Sequence, residues 1–168
     1  MSKTELKLAT IEEKLEFVYE IIMQTVRVGL LNARGARTGY THWFARELSK
    51  DVRYFSGYVS EAAVAHGQTV GLVLEHPHRI QTTLTQLISK HIEQGENVEE
   101  FVSEVKRLEK VHIVVKSEND LLKRKDISGD YSKAGIKLLY WNEIPHPNRR
   151  HLLKKLSGNI ANIDDFKD

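Results

Sequence analysis

Two short apolar runs constrain this chain most. Residues 70–74, Val-Gly-Leu-Val-Leu, stop abruptly at Glu75-His76-Pro77. Residues 111–115, Val-His-Ile-Val-Val, pass straight into Lys116-Ser117-Glu118-Asn119. Both runs are short, rich in β-branched residues and bounded by polar residues, so each is predicted to be a strand. Ser117-Glu118-Asn119-Asp120-Leu121-Leu122 then reads as a capped helix start. Two strands and a helix in that order would gather a carboxylate, an imidazole and an amide. A single-metal phosphodiester-cleaving site needs two oxygen ligands and a base for water, which those groups can supply. Successive strand residues point to opposite faces. Glu75 and His76 can therefore share a site only where the strand ends or bulges, and Pro77 is consistent with an end.

The rest of the chain reads mostly as helix. Thr10-Ile11-Glu12-Glu13 forms a capping box, and Ile11, Leu15, Val18 and Ile22 follow at helical spacing, which predicts a helix to about residue 32 with Gly35 as its C-cap. Helices are also predicted over 40–50, 51–65, 79–93, 98–110, 117–124 and 149–156. Residues 136–141 form a strand or a turn-bound apolar run. Pro145 and Pro147 mark a loop, and the acidic tail 164–168 is expected to fray. The fold class is α+β, helix-rich, with a small core of two strands plus a helix and an N-terminal helical region. The 168 residues fit one domain. Within it, residues 1–67 form the helical region, 68–141 the core, and 142–168 a basic loop and helix with an acidic tail.

Cysteine is absent, which excludes disulfides and thiolate-bound zinc and leaves His, Asp, Glu and Asn as side-chain metal ligands. No apolar run approaches the ~18 residues of a membrane span. The start, Met-Ser-Lys-Thr-Glu-Leu-Lys, lacks the apolar core of a signal peptide, so a cytoplasmic location is expected. Net charge is +2, unevenly spread. Residues 24–58 carry Arg27, Arg34, Arg37, Arg46, Lys50 and Arg53 against Glu47 and Asp51, and residues 123–155 are more basic still. Such windows fit a face turned to a polyanion, and equally the solvated faces of basic helices.

The order strand, Glu-His, connector, strand, helix resembles the ββα-metal (His-Me finger) endonucleases of the HNH type. Val114-Val115-Lys116-Ser117-Glu118-Asn119 with Leu122 is similar to that group's second strand and helix. Asp130-Tyr131-Ser132-Lys133-Ala134-Gly135-Ile136 is similar to an aromatic and Ala-Gly-Ile element that often follows. The likeness covers roughly residues 70–140. It implies a metal-dependent endonuclease acting on DNA, with RNA not excluded and a homodimer possible. Glu75 and Asn119 would hold one Mg²⁺ or Mn²⁺, and His76 would be the general base. Arg79 would contact the scissile phosphate. The chain departs from the pattern in its long helical connector, in having no recognisable residue to orient the base, and in lacking cysteine pairs.

Each feature also has a plain structural meaning. Glu75-His76 can be an ordinary polar strand end, Asn119 a first-turn helix residue, and His112 a satisfied histidine within a strand. Lys116 can steady phosphate charge or simply end a strand. Tyr40, Trp43, Phe44, Tyr54, Phe55 and Tyr58 interleave with Arg37, His42, Arg46 and Arg53, as on a nucleic-acid face; helical spacing favours core for Trp43, Phe44 and Phe55. Arg149 and Arg150 belong to a basic loop suited to phosphate. Two other classes remain open: a non-enzymatic nucleic-acid-binding regulator, and a helical protein-interaction module built on residues 79–110.

Overall fold

The computed structural model describes residues 10–167; the leading segment, expected not to be a signal peptide, and the final Asp168 lie outside the described residues. The fold is α+β and helix-rich. It divides into two compact units. One takes the described residues through Leu48 together with Gln81–Arg107; the other takes Ser49–Ile80 and the chain from Leu108 onward. The helical unit thus draws on the middle of the chain, from within the stretch read as the ββα core.

In the helical unit, α1 (Ile11–Arg27) starts at the capping box: Thr10 Oγ1 accepts from the Glu13 N–H at 3.2 Å and Glu13 Oε2 accepts from the Thr10 N–H at 2.8 Å. Its buried face is Leu15, Val18, Tyr19, Ile22 and Met23. The helix ends sooner than expected. Gly29 takes a left-handed conformation (φ +72°), and Asn32 caps a new helix, α2 (Ala33–Gly39), by accepting from the Gly35 N–H at 3.0 Å. Gly35 therefore lies in a first turn and does not end α1. A π-helical turn, Tyr40–Phe44, follows and leads into α3 (Ala45–Val52). The wider turn shifts the side-chain register. Tyr40 is buried edge-on to Phe101, while Trp43 is 69% exposed, against the expectation that Trp43 is core.

Helices α5 (Ile80–Gln94) and α6 (Val98–Leu108) complete this unit, with Leu84, Leu87, Ile88, Phe101, Val102 and Val105 buried. Burying each such side chain contributes roughly 1.5–3 kcal/mol. One buried polar chain crosses the core. Tyr19 O–H donates to His91 Nδ1 at 2.8 Å and accepts from the Asn97 N–H at 3.2 Å, and His91 Nε2–H donates to Glu100 at 3.0 Å. Both ring nitrogens are satisfied, as burial demands. Burial pushes the Tyr19 hydroxyl up to about 12.

The sheet unit holds β1 (Tyr54–Ser60), β2 (Leu72–Glu75), β3 (Lys110–Val115) and β4 (Leu138–Tyr140) in the order β2-β3-β1-β4. β1 runs parallel to β3 and antiparallel to β4, and β2 runs antiparallel to β3. β1 occupies residues expected to be helical. Its register against β3 slips between Phe55 and Val59, at a bulge where Gly57 has φ +88°. A Cβ there would sit 2.6 Å from the Tyr140 ring, so the bulge needs glycine twice over. Helix α4 (Glu61–His66), capped by Ser60, follows β1 and closes on left-handed Gly67. Helix α7 (Lys116–Leu122) follows β3 without a break and packs against both β2 and β3.

One face of the sheet is buried. Phe55, Val59, Leu72, Val111 and Ile113 pack with Trp141 and Ile144 and with Leu152 and Leu156 of α8 (Arg150–Leu156). The tail is tied down through residue 166: the Phe166 ring lies 4.7 Å from Phe55 and 5.6 Å from Trp141, where fraying was expected. No helix among the described residues is long and apolar enough to cross a membrane.

Candidate functional site

The opposite face of the sheet carries a polar and aromatic row. Glu75 ends β2 and pairs with His112 on β3. The His112 ring lies 5.6 Å from Tyr58 on β1, and Tyr58 lies 5.4 Å from Tyr140 on β4. Each strand thus gives one member, because residues level across a pleated sheet share a face.

Tyr131, from the loop after α7, closes over two of them. Its O–H donates to the Glu75 carboxylate, and His112 Nδ1 lies 3.1 Å from the same oxygen. A phenol has one proton. With that proton given to Glu75, Nδ1 must carry the hydrogen that Tyr131 accepts. The chain runs His112 Nδ1–H, Tyr131 O–H, Glu75 carboxylate, and the lone pair of His112 is on Nε2. Burial, with the charge of His78 as a smaller cause, pushes His112 down to about 4, so the ring is neutral at pH 7. Burial raises Glu75 above the usual carboxylate range, against the opposing pull of the Tyr131 bond and of His76 and Lys123. Burial and then the Glu75 contact hold the Tyr131 phenol far above its ordinary value.

His76 goes elsewhere. Its Nε2 lies 3.1 Å from Oε2 of Glu109, which is 3% exposed and immediately precedes β3. A carboxylate accepts, so Nε2 carries the hydrogen and Nδ1 keeps a lone pair when the ring is neutral. Adjacent residues at the end of β2 thus have separate partners: Tyr131 for Glu75 and Glu109 for His76.

Asn119 lies in the first turn of α7, half-buried, and its amide makes no hydrogen bond among the described residues. The neighbouring Glu118 secures the helix start: its Oε2 accepts from the Val115 N–H at 3.1 Å and from Ser60 Oγ at 2.5 Å. Val115 is the N-cap, so Ser117 lies inside the helix. Asn119 and Lys123 are four residues apart and share a helix face. The charge of Lys123 acts on Glu75. The face of α7 that bears Asn119 is thus turned toward the strand end that bears Glu75. No hydrogen bond joins Glu75, His76 and Asn119 to one another among the described residues.

The expected phosphate contacts divide. Arg79 and Arg150 are exposed with no ion pair among the described residues, and Arg46 is exposed. Arg53 is half-buried, and its Nε has no hydrogen-bond partner. Arg37 and Arg149 are built into the fold. Arg37 is 8% exposed, with Nε donating to Thr85 Oγ1 at 3.3 Å. Arg149 is 7% exposed; its Nε donates to the Ile144 carbonyl at 2.8 Å and its guanidinium lies over Trp141 at 5.4 Å. Lys116 is exposed but bonds through its N–H to the carbonyl of Gly71, four residues before Glu75, or roughly 13 Å at strand rise.

Among the described residues no three His, Asp or Glu side chains are grouped to hold a metal ion. Glu75 and Asn119 offer two oxygen donors. That fits a hard divalent cation which keeps several waters and takes a phosphate oxygen, as Mg²⁺ does. It would not make a closed site for a softer metal. Sequence reasoning missed Glu109 and the joint role of Tyr131 and His112. The alternation of Val111, His112 and Ile113 does put the histidine on the face away from the core. Nothing local links Glu109 to His76. No family model, no curated protein and no solved structure matches this chain.

Proposed function

We propose that the sheet unit is a metal-dependent phosphodiesterase of the HNH endonuclease type, acting on DNA in the cytoplasm. The observation that carries this reading is the β2–β3–α7 unit. The strands are antiparallel, the helix leaves β3 directly and packs on both, and its Asn119–Lys123 face turns to the strand end bearing Glu75-His76. Glu75 and Asn119 hold the cation, Glu75 through the oxygen that Tyr131 does not use. When bound, Mg²⁺ or Mn²⁺ polarises the phosphoryl oxygen and neutralises charge on the leaving oxygen. His76 accepts a proton from water at Nδ1, and buried Glu109 fixes the ring by holding Nε2–H. Lys123 and Arg79 offset charge on the phosphate.

Supercoiled plasmid with Mg²⁺ or Mn²⁺ tests this. Nicking should require the cation, stop with chelator, and be lost in Glu75→Ala and Asn119→Ala. Mn²⁺ should raise the melting temperature of the parent protein and fail to do so in either variant. Cleavage in excess chelator would overturn the metal assignment.

A further inference from the structure

Away from that site, the turn after α4 and the first turn of α8 face each other across a cleft of about 580 Å³, within the roughly 300–1,000 Å³ of ligand sites. Its polar lining is Gln68, Thr69, Asn148, Arg150, His151 and Lys154, and no carboxylate lines it. Arg150 and Lys154 stand four residues apart on one face of α8. Both are exposed, and neither makes a hydrogen bond or ion pair among the described residues. The side-chain amides of Gln68 and Asn148 are likewise unengaged, so they offer neutral N–H donors beside the two cations.

The cleft is held in shape. His151 Nε2–H donates to the Ala63 carbonyl at 2.9 Å, and the His151 carbonyl accepts from Thr69 Oγ1 at 3.3 Å, which ties α8 to α4 and to the turn beyond it. Leu152 and Leu156 anchor α8 in the core, and Arg149 is locked over Trp141. Cations on a pinned helix lose little freedom on binding, and an acid-free lining gives an anion nothing to repel it.

We propose that this cleft binds a backbone phosphate of a nucleic-acid strand, with Arg150 and Lys154 as its cationic contacts and Gln68 and Asn148 as hydrogen-bond donors. The phosphate chemistry follows from the lining. The choice of a nucleic acid as its source rests on the phosphodiesterase reading. Phosphate contacts of this kind position a strand without reading its bases.

The test uses the whole chain in chelator, so that nothing is cut. Binding of a fluorescent DNA oligonucleotide is followed by anisotropy over a range of salt. Arg150→Gln/Lys154→Gln should weaken binding at least about tenfold at low salt and flatten the log–log salt slope by about 1.8, since each phosphate contact contributes ~0.9. Arg34→Gln/Lys50→Gln, a charge-matched control at exposed cations elsewhere, should change neither by as much. Turnover of bis(4-nitrophenyl) phosphate with Mn²⁺, a diester too small to span both sites, should be equal in the parent and Arg150→Gln/Lys154→Gln. An unchanged affinity and slope in that variant overturns the proposal. So does the control losing as much as the cleft variant. Thermal stabilisation by inorganic phosphate without oligonucleotide binding overturns the assignment to a strand and leaves a small phosphate ester. Variant-sensitive oligonucleotide binding supports the cleft even where no diester is hydrolysed, and in that case the phosphodiesterase reading alone fails.

Discussion

Each unit of this protein holds a well-shielded imidazole on its inner side, and the two are treated differently. His91 in the helical unit is bonded at both nitrogens, to Tyr19 and Glu100. His112 in the sheet unit is bonded at Nδ1 alone, and its Nε2 has no hydrogen-bond partner among the described residues. The first is what a core does with a polar group that it cannot release: every donor and acceptor is used. The second sits where the sheet turns a row of half-exposed side chains outward, with one lone pair left over. The difference teaches that burial alone does not mark a structural histidine; the count of satisfied nitrogens does. His76 belongs with the second kind, since Glu109 takes one nitrogen and the other remains.

The sharpest way to break that contrast is by function. His76→Ala should lower diester cleavage on the order of 10²- to 10⁴-fold with folding nearly unchanged, as a lost general base does. His91→Leu should leave turnover per folded molecule intact. Plasmid nicking normalised to the folded fraction compares them. Equal losses would mean that both histidines serve the fold.

In stability the order should reverse. His91→Leu strips Tyr19 and Glu100 of their shared partner and should cost roughly 2–4 kcal/mol, the range for disrupting a buried polar network. Urea unfolding reports it. A cost under about half a kcal/mol would show that the chain through Tyr19 is incidental.

His112 should reveal itself through pH. Its folded value is pushed down to about 4 from 6.5. The unfolded chain then binds the proton first, so the stability it contributes is present above about pH 6.5 and drains as pH falls toward 4. From pH 7 to pH 5 the loss should be about 2 kcal/mol at most. His112→Gln should remove that share of the slope. Parallel urea titrations at the two pH values check it, and identical slopes would show that the ring is protonated in the fold.

The smallest effect belongs to Tyr131→Phe, which deletes a hydroxyl shared by Glu75 and His112. A loss of about 1 kcal/mol is expected. The Glu75 carboxyl should titrate higher still, because the bond that Tyr131 gives it favours the charged form. Carboxyl-carbon NMR of Glu75 across pH shows the direction, and a downward move would contradict the hydrogen-bond chain.

Local patterns were enough for much of this protein. The capping box at Thr10, the periodicity of α1, α5 and α6, the strands β2 and β3 and the helix after β3 are all legible, because caps and amphipathic spacing act within a turn or two of chain. The helix-rich α+β class follows from them. What escaped was decided by partners distant in sequence. Tyr54–Ser60 is a strand because it pairs with β3 and β4, and its glycine bulge hides the alternation that would announce it. Arg37 and Arg149 look like surface cations until Thr85, Ile144 and Trp141 close on them. Trp43 is exposed because a π turn moved it off the core face. The same holds at the candidate site. The chain shows Glu75, His76 and Asn119 as residue types at a strand end and a helix start. Only the folded sheet gives Glu75 to Tyr131 and His76 to Glu109, because hydrogen bonds between side chains 56 and 33 residues apart depend on which strands are neighbours.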